Sequence, residues 1–130
     1  MTENQISYKI RGAIFKVYNT LGPGLLESAY EATLAYELKK MGLKVRNQVP
    51  FPIEYDEVKL DIGYRIDLLV EDKVVVEIKS VESIIPVHHK QVLTYLKLLD
   101  LKLGLLVNFN CENLEEGIIR KINRKYIHEF

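Results

Sequence analysis

Two acids and a lysine, Asp67, Glu77 and Lys79, are the residues of this chain whose types and spacing point most directly to chemistry. Residues 58–70 and 73–79 are predicted strands joined by a tight turn, and counting outward from that turn places Asp67 opposite Glu77. Facing side chains in a hairpin have Cβ atoms about 4.5 to 5.5 Å apart, where like charges repel. Lys79 lies on the same side of its strand as Glu77 and offsets only part of that repulsion.

The segment around this pair is acidic as a whole. Residues 54–82 contain nine acids and four bases, which leaves a local charge of minus five. Carboxylate oxygens are ligands that Mg²⁺ and Mn²⁺ prefer, so a bound divalent cation would resolve the repulsion. The alternative is that the acids are solvated on an exposed sheet face, with Arg65 and Lys79 pairing them across the hairpin. The pattern alone leaves both interpretations open.

A third acid, Glu27, begins the apolar stripe of a predicted helix over residues 25–41. At roughly 100° per residue, Glu27 lies in line with Tyr30 and Leu34, at the top of the face that should pack on a sheet. If Gly24 is the N-cap, Glu27 is the third helical residue, where a carboxylate interacts favourably with the helix dipole. The competing interpretation is that the helix delivers Glu27 to a metal.

A helix that Pro86 should open, ending near Asp100, carries a further polar set. His88, Gln91 and Tyr95 lie within about 60° of one another on its surface, beside an apolar stripe. Such side chains could hydrogen-bond a phosphate or position a catalytic lysine. They could also simply mark the boundary of the packed face.

Length and composition limit the classes of protein to which this chain can belong. The chain has 130 residues, 18 basic against 18 acidic side chains and 48% hydrophobic residues, which predicts one soluble domain spanning residues 1–130. No apolar run approaches the roughly 20 residues of a membrane span, and the start lacks the apolar core of a signal peptide, so a cytoplasmic protein is expected. Cys111 has no partner for an internal disulfide.

The periodicity of the chain predicts its architecture. Helical spacing is expected over residues 5–18, 25–41 and 86–100, and extended structure over 44–55, 58–70, 73–79 and 103–109, with a short strand or helix in the tail. This order predicts a mixed sheet flanked by helices, with a crossover through the Pro86 helix. The fold class is therefore α/β or α+β.

Because the net charge is zero, any contact with nucleic acid must come from local basic patches. One candidate surrounds the end of the second helix and the other lies near the C-terminus, where acids precede the bases rather than alternate with them. We prefer the C-terminal candidate, although such charge runs are usually solvated surface. The two sets are Lys39, Lys40, Lys44 and Arg46, and Arg120, Lys121, Arg124 and Lys125.

The segment Gly24-Leu25-Leu26-Glu27-Ser28-Ala29-Tyr30 resembles the signature of the GxxExxY protein family, a branch of the PD-(D/E)XK nuclease superfamily. Asp67, then Glu77-Ile78-Lys79, then Gln91 through Tyr95 resemble its remaining motifs in order. The resemblance spans residues 6–109. Ile66 stands where the superfamily name has proline.

The resemblance implies a restriction-endonuclease-like core, a central mixed sheet with helices on both faces. It also implies a nuclease that hydrolyses phosphodiester bonds with Mg²⁺ or Mn²⁺. Asp67 and Glu77 would hold the metal with Glu27 completing or supporting its shell, Lys79 would assist the attacking water, and Gln91 and Tyr95 would support them.

The sequence is compatible with two other classes of function. A catalytically silent nuclease-like module could bind nucleic acid or a protein partner, although the intact set of Asp67, Glu77 and Lys79 favours the enzyme. A structural dimerisation domain would leave the acids incidental. The small size of the chain favours a homodimer in the nuclease case, because one copy has little surface for two strands.

Overall fold

The structure, a computed structural model, describes residues 1–130. Helix α1 (Glu3–Leu21) is longer than the predicted 5–18 because Thr2 caps it: the Thr2 hydroxyl accepts from the Gln5 N–H, and the Gln5 side chain accepts from the Thr2 N–H. Helix α2 (Glu27–Lys40) follows after a short loop. No helix is both long and apolar enough to cross a membrane.

The predicted start of α2 is wrong in its detail. Leu26, not Gly24, is the N-cap, so Glu27 is the first helical residue rather than the third. Gly24 has φ +100°, a conformation that side-chain-bearing residues rarely adopt, and it turns the chain three residues before the helix begins. The dipole interaction expected of a first-turn carboxylate is still available to Glu27.

A five-stranded mixed sheet forms the centre of the molecule, in the order β1-β4-β5-β6-β7. Strands β5 and β6 are parallel and the other neighbours antiparallel, with helix α3 (Pro86–Leu99) as the predicted crossover. The strands of this sheet are β1 (Val45–Pro50), β4 (Arg65–Val70), β5 (Val74–Lys79), β6 (Leu103–Asn108) and β7 (Ile118–Ile122).

A separate two-stranded hairpin stands between β1 and β4, made of β2 (Ile53–Tyr55) and β3 (Val58–Leu60). The prediction of one strand over residues 58–70 is therefore wrong. Asp56 and Glu57 both have positive φ, as a two-residue hairpin turn requires, and Gly63, with φ +86°, redirects the chain before β4. In the tail, β7 lies between helix α4 (Leu114–Gly117) and a 3₁₀ helix, Arg124–Glu129.

The sheet is covered on both faces, as predicted. Helices α1 and α2 pack on one face, where Ile10, Leu34 and Val76 belong to the larger core. Helix α3 packs on the other face, where Val92 and Leu96 meet Val75 in a smaller core. We call these the α1/α2 face and the α3 face. The architecture is α+β and restriction-endonuclease-like.

The predicted hairpin register is also confirmed. Val70 pairs with Val74 and Leu69 with Val75 across the turn at residues 71–73. The ladder ends at the pair formed by Leu68 and Val76. Asp67 and Glu77 are the next residues outward, where the two strands no longer share backbone hydrogen bonds.

Candidate active site

Strand β4 reverses its faces at Asp67. Ile66 lies in the core under α3 and Leu68 in the core under α1 and α2, although residues two apart normally share a face. Its neighbour β1 is interrupted at the matching position, because Gln48 has φ +48° and is skipped between the pairs Asn47–Leu68 and Val49–Ile66. Because both strands are irregular here, the Asp67 side chain does not have to point to one face of the sheet as it would in a regular strand.

The carboxylates of Asp67 and Glu77 fill the gap between β4 and β5. The Asp67 N–H donates to Oε1 of Glu77 at 3.2 Å, and the Ile78 N–H donates to Oδ2 of Asp67 at 2.8 Å. In each strand, a backbone N–H that has no partner in the sheet therefore donates to the acidic side chain of the other strand. The two carboxyl groups are held side by side where the sheet opens.

Glu77 is 3% exposed, and this burial dominates its chemistry. Desolvation, followed by repulsion from Asp67, raises the pKa of Glu77 to about 8. The amide hydrogen bond from Asp67 and the charge of Lys79 act in the opposite direction on this pKa. Lys79 ends β5 half-buried and is the cation nearest in sequence to this acid.

Tyr95, with Gln91 bonded to it, lies on α3 in the core that contains Ile66 and Leu106, the neighbours of Asp67 and Glu77. The Gln91 side-chain amide donates to the Tyr95 hydroxyl at 2.7 Å. Burial, and then the negative charge of Glu77, raises the pKa of Tyr95 to about 12, with Asp67 contributing further. The phenol therefore keeps its proton over the physiological range and faces the same site as the acids.

The acid that α2 brings to Asp67 is Glu31, which the sequence analysis missed. The Gln48 side-chain amide donates to Oε1 of Glu31 at 2.5 Å and to Oδ1 of Asp67 at 3.1 Å, so one amide joins the two carboxylates. Burial raises the pKa of Glu31, and the charge of Asp67 adds to that effect. The available signal was that Glu31 lies one helical turn after Glu27.

Glu27 lies at the end of β5 rather than with the other two predicted metal ligands. Its Oε2 accepts from the Ser80 N–H at 3.1 Å, while the Ser80 hydroxyl donates to the Leu25 carbonyl at 2.6 Å. These bonds tie the start of α2 to the residue that follows Lys79. The side chain itself is exposed.

Tyr30 positions the loop that carries Glu27. Its ring is fully buried and stacks on Phe109 with centroids 4.3 Å apart. Its hydroxyl donates to the Gly22 carbonyl at 2.5 Å and accepts from the Leu25 N–H at 3.1 Å. The tyrosine of the Gly24-to-Tyr30 motif is therefore a structural residue, and it fixes the turn from which α2 departs.

The carboxylate oxygens of Asp67 and Glu77 are suitable ligands for a divalent ion, but no third protein ligand lies with them. No three Asp, Glu, His or Cys side chains converge in an arrangement that could hold a metal. The structure brings Asp67 and Glu77 together and leaves Glu27 at Ser80. Mg²⁺ commonly uses one or two protein carboxylates and completes its shell with water and phosphate, so this acid pair fits the ion.

The predicted C-terminal basic patch is dispersed. Arg120 bonds Asn4 of α1 on one face of the sheet, and Lys121 lies 3.1 Å from His89 of α3 on the other. Lys125 pairs with Asp100 at 3.1 Å, beyond the end of the sheet opposite to Lys79. Arg124 is exposed in the final 3₁₀ helix.

The other basic candidates are also distant from the acid pair. Lys44 and Arg46 both pair with Asp72 in the turn between β4 and β5, at 2.7 and 2.8 Å. That turn is at the opposite end of the hairpin from Asp67. Lys39 and Lys40 are exposed at the end of α2, and Lys40 pairs with Glu37.

With this geometry in view, comparison with known proteins identifies the class. The PD-(D/E)XK nuclease superfamily matches residues 4–121, which is most of the chain. The chain belongs to this superfamily. No curated protein and no solved structure matches it significantly.

Proposed function

We propose that the chain is a metal-dependent nuclease of the GxxExxY branch, with Asp67 and Glu77 holding Mg²⁺ or Mn²⁺. The observation that carries the proposal is the meeting of these two acids in the gap between β4 and β5. A buried acid such as Glu77 next to a second carboxyl group is costly for stability, and active sites are where such pairs accumulate. The superfamily match supports the same reaction class, a hydrolase acting on nucleic acid.

Each residue near the pair has a proposed role. When bound, the ion would activate water and neutralise charge on the phosphate. Lys79 supplies a cation beside Glu77, where negative charge develops in the transition state. Gln91 orients the Tyr95 hydroxyl, and that hydroxyl, which stays protonated, is available to donate a hydrogen bond towards the acids or a phosphate oxygen.

Two helix acids extend the proposal. Glu31 reaches Asp67 through Gln48 and supports the orientation of that carboxylate. Glu27 remains a proposed ligand or supporting residue from the mouth of α2, next to Ser80. The bases Arg120, Lys121, Arg124 and Lys125 do not form one surface, so we keep them only as the alternative nucleic-acid contact that the salt dependence of binding tests.

We also propose that residues 1–130 act as one nuclease-like domain on DNA or RNA. We propose further that two copies associate as a homodimer and that the protein works in the cytoplasm. The cleavage assay below addresses the substrate. Sedimentation of the purified chain addresses the dimer.

The decisive experiment is cleavage of labelled DNA and RNA oligonucleotides with Mg²⁺, Mn²⁺ or a chelator. We expect cleavage that requires metal and is lost, by at least about a hundredfold, in Glu77→Gln and Lys79→Met. Glutamine is preferred to alanine because Glu77 accepts the Asp67 N–H, and a truncated side chain would leave that amide unsatisfied.

Glu82→Gln is the matched control, because Glu82 is an exposed acid five residues from Glu77 in sequence. It should cleave at the parent rate. If Glu77→Gln also cleaves at that rate, the acid pair is not the active site.

One observation favours a second candidate, a catalytically silent module. Asp67 and Glu77 already satisfy the two orphan amides of the strands, so the acids have a structural task that needs no metal. Thermal melting separates the two candidates. A Mn²⁺-dependent rise in Tm that disappears in Asp67→Asn supports the enzyme, whereas no response to Mn²⁺ supports the silent module.

A further inference from the structure

A groove lined by aromatic and apolar side chains lies beside the acid pair, between α3 and the segments that flank the β2–β3 hairpin. Its volume is about 490 Å³. Pockets that take small organic groups usually have volumes of about 300 to 1,000 Å³ and apolar walls. The residues that form its floor and rim are Phe51, Ile53, Tyr64, Val87, Tyr95 and Leu98.

Three rings form the floor of this groove, and one of them is accessible. Phe51 and Tyr64 are nearly parallel, with centroids 5.7 Å apart and planes 15° apart, and Tyr95 meets Phe51 edge-on at 5.0 Å. Phe51 and Tyr95 are 4% and 3% exposed, whereas Tyr64 is 40% exposed. Tyr64 is thus the outer layer of a stack to which another flat ring could be added.

The groove is continuous with the candidate active site. Tyr95 belongs to both, because its ring forms part of the aromatic floor and also packs in the core that contains Ile66, next to Asp67, and Leu106, the register partner of Glu77. Tyr64 also lies three residues before Asp67 in the chain. A flat ring bound on Tyr64 would therefore lie a short distance along the protein surface from a group bound at Asp67 and Glu77.

The charges of the α3 wall fit a polyanion rather than an apolar peptide. From Pro86 to Leu99 this helix carries Lys90 and Lys97 and has no acid, and Lys90 itself lines the groove. Acids such as Glu54 lie on the β2–β3 hairpin, on the other side. Cations beside an aromatic platform are the combination with which proteins bind single-stranded nucleic acid.

We propose that this groove binds an unstacked nucleobase next to the scissile phosphate, so that the substrate is single-stranded or locally unpaired nucleic acid. A base in a duplex is stacked on both sides and cannot offer a free face to Tyr64 unless it is first extruded. The position of the scissile phosphate rests on the proposed nuclease function. Binding of the base does not, because Tyr64 and Lys90 are separate from the acids.

The test is a binding titration in chelator, so that no cleavage occurs. The probes are a fluorescently labelled 12-nucleotide DNA strand, the same sequence as RNA, the 12-base-pair duplex, and a 12-unit abasic strand that keeps the phosphates but has no bases. We expect at least one of the two natural single strands to bind at least about tenfold more tightly than the duplex and the abasic strand. The DNA and RNA arms identify which sugar is preferred.

Three substitutions locate the base. Tyr64→Ser should weaken binding of the natural strand roughly tenfold and leave the abasic strand unchanged, because only base stacking is removed. Tyr64→Phe should bind the natural strand like the parent, because it keeps the aromatic ring. Such a result would show that the ring, and not the hydroxyl, is needed for binding. Tyr8→Ser is the control, since Tyr8 is an 80% exposed tyrosine on α1, outside the groove.

Equal affinity for natural and abasic strands, or no effect of Tyr64→Ser, would overturn the inference. A parent dimer that Tyr64→Ser converts to a monomer in sedimentation, with unchanged strand binding, would also overturn it, because the groove would then be an interface between copies. Failure of the nuclease proposal is distinct. Tyr64-dependent binding without any metal-dependent cleavage would keep the base site and remove the enzyme.

Discussion

At the scale of single residues, Glu77 couples folding to pH. Its pKa in the folded protein is about 8, against an ordinary value of 4.5, because of burial and the neighbouring Asp67. Between these values the folded chain holds a proton that the unfolded chain has lost, so the free energy of unfolding falls as pH rises. Stability from this group is complete below about pH 4.5 and lost as pH passes through about 8.

We predict that the metal-free protein loses a few kcal/mol of stability, or roughly 10 °C in Tm, between pH 5 and pH 8. Glu77→Gln should flatten this dependence, because its amide is neutral throughout. Thermal melts in chelator at half-unit pH steps measure both. The exposed Glu82→Gln variant should keep the parent's slope, and a parent whose Tm rises over this range would contradict the assignment.

Tyr30 gives a second prediction at this scale. Tyr30→Phe keeps the stack on Phe109 but leaves the Gly22 carbonyl and the Leu25 N–H without their partner. We expect a loss of about 1 to 3 kcal/mol in the free energy of unfolding. Urea denaturation measures it, with the 64% exposed Tyr36→Phe as the control. Equal effects in the two variants would show that the hydroxyl does not hold the loop.

The acid pair could be predicted from sequence, whereas the only sequence signal for the helix acid Glu31 was its position one turn after Glu27. Counting from a three-residue turn was enough to place Asp67 beside Glu77, because a β-hairpin has a fixed period. Glu31 reaches Asp67 only through Gln48, whose left-handed conformation nothing in the sequence announces. Glutamine is not a residue that favours positive φ, so this contact lay outside what periodicity can show.

At the scale of elements, the fit of α3 on the sheet depends on Gly104. A Cβ at this position would lie 2.8 Å from Cγ1 of Val92, 3.5 Å from the Val75 carbonyl oxygen and 3.6 Å from Leu96. Strand β6 is buried along its whole length, so an added methyl group must push α3 away from the sheet or displace a packed side chain. The crossover that carries Gln91 and Tyr95 is thereby seated close to the sheet.

We predict that Gly104→Ala destabilises the protein by about 1 to 3 kcal/mol. Combining it with Val92→Ala should recover part of this loss, and a double-mutant cycle in urea measures the coupling. Gly12→Ala is the control, because a Cβ there meets nothing within 4 Å on α1, and it should raise stability by about 0.5 to 1 kcal/mol. Strictly additive effects of the first two changes would disprove the contact.

Elements with a long, regular period were predictable, and their ends were not. Apolar spacing indicated α1, α2 and α3 because each buries one stripe. The segment 58–70 alternates as far as Leu68, yet its first part pairs with β2 outside the main sheet. Alternation reports a strand but not its partner, so the separate hairpin could not be distinguished from one long strand.

At the scale of the whole molecule, a net charge of zero limits how salt affects binding. Lys79 and Lys90 lie near the proposed path of the substrate, with Arg65 beside Tyr64, whereas Lys125 is paired with Asp100 beyond the far end of the sheet. Few cations therefore can meet phosphates at the site. This contrasts with proteins that bind duplex DNA through a broad basic surface.

We predict a slope of about −2 for the logarithm of the binding constant against the logarithm of salt concentration, as expected for about three phosphate contacts on a single strand. Lys90→Gln should reduce the magnitude of the slope by about 0.7. Lys125→Gln should not change it. A slope steeper than about −4, or equal effects of the two lysines, would favour the C-terminal bases as the contact surface.

The interruption at Gln48 has a consequence for self-association. Strand β1 is the outer strand of the sheet, and its free edge contains a left-handed residue followed two positions later by Pro50, which has no N–H to donate. A strand from another molecule would find no unbroken row of donors and acceptors to extend. The irregularity that frees a carboxylate thus also opposes strand addition at β1, which leaves the outer side of β7 as the other edge of the sheet.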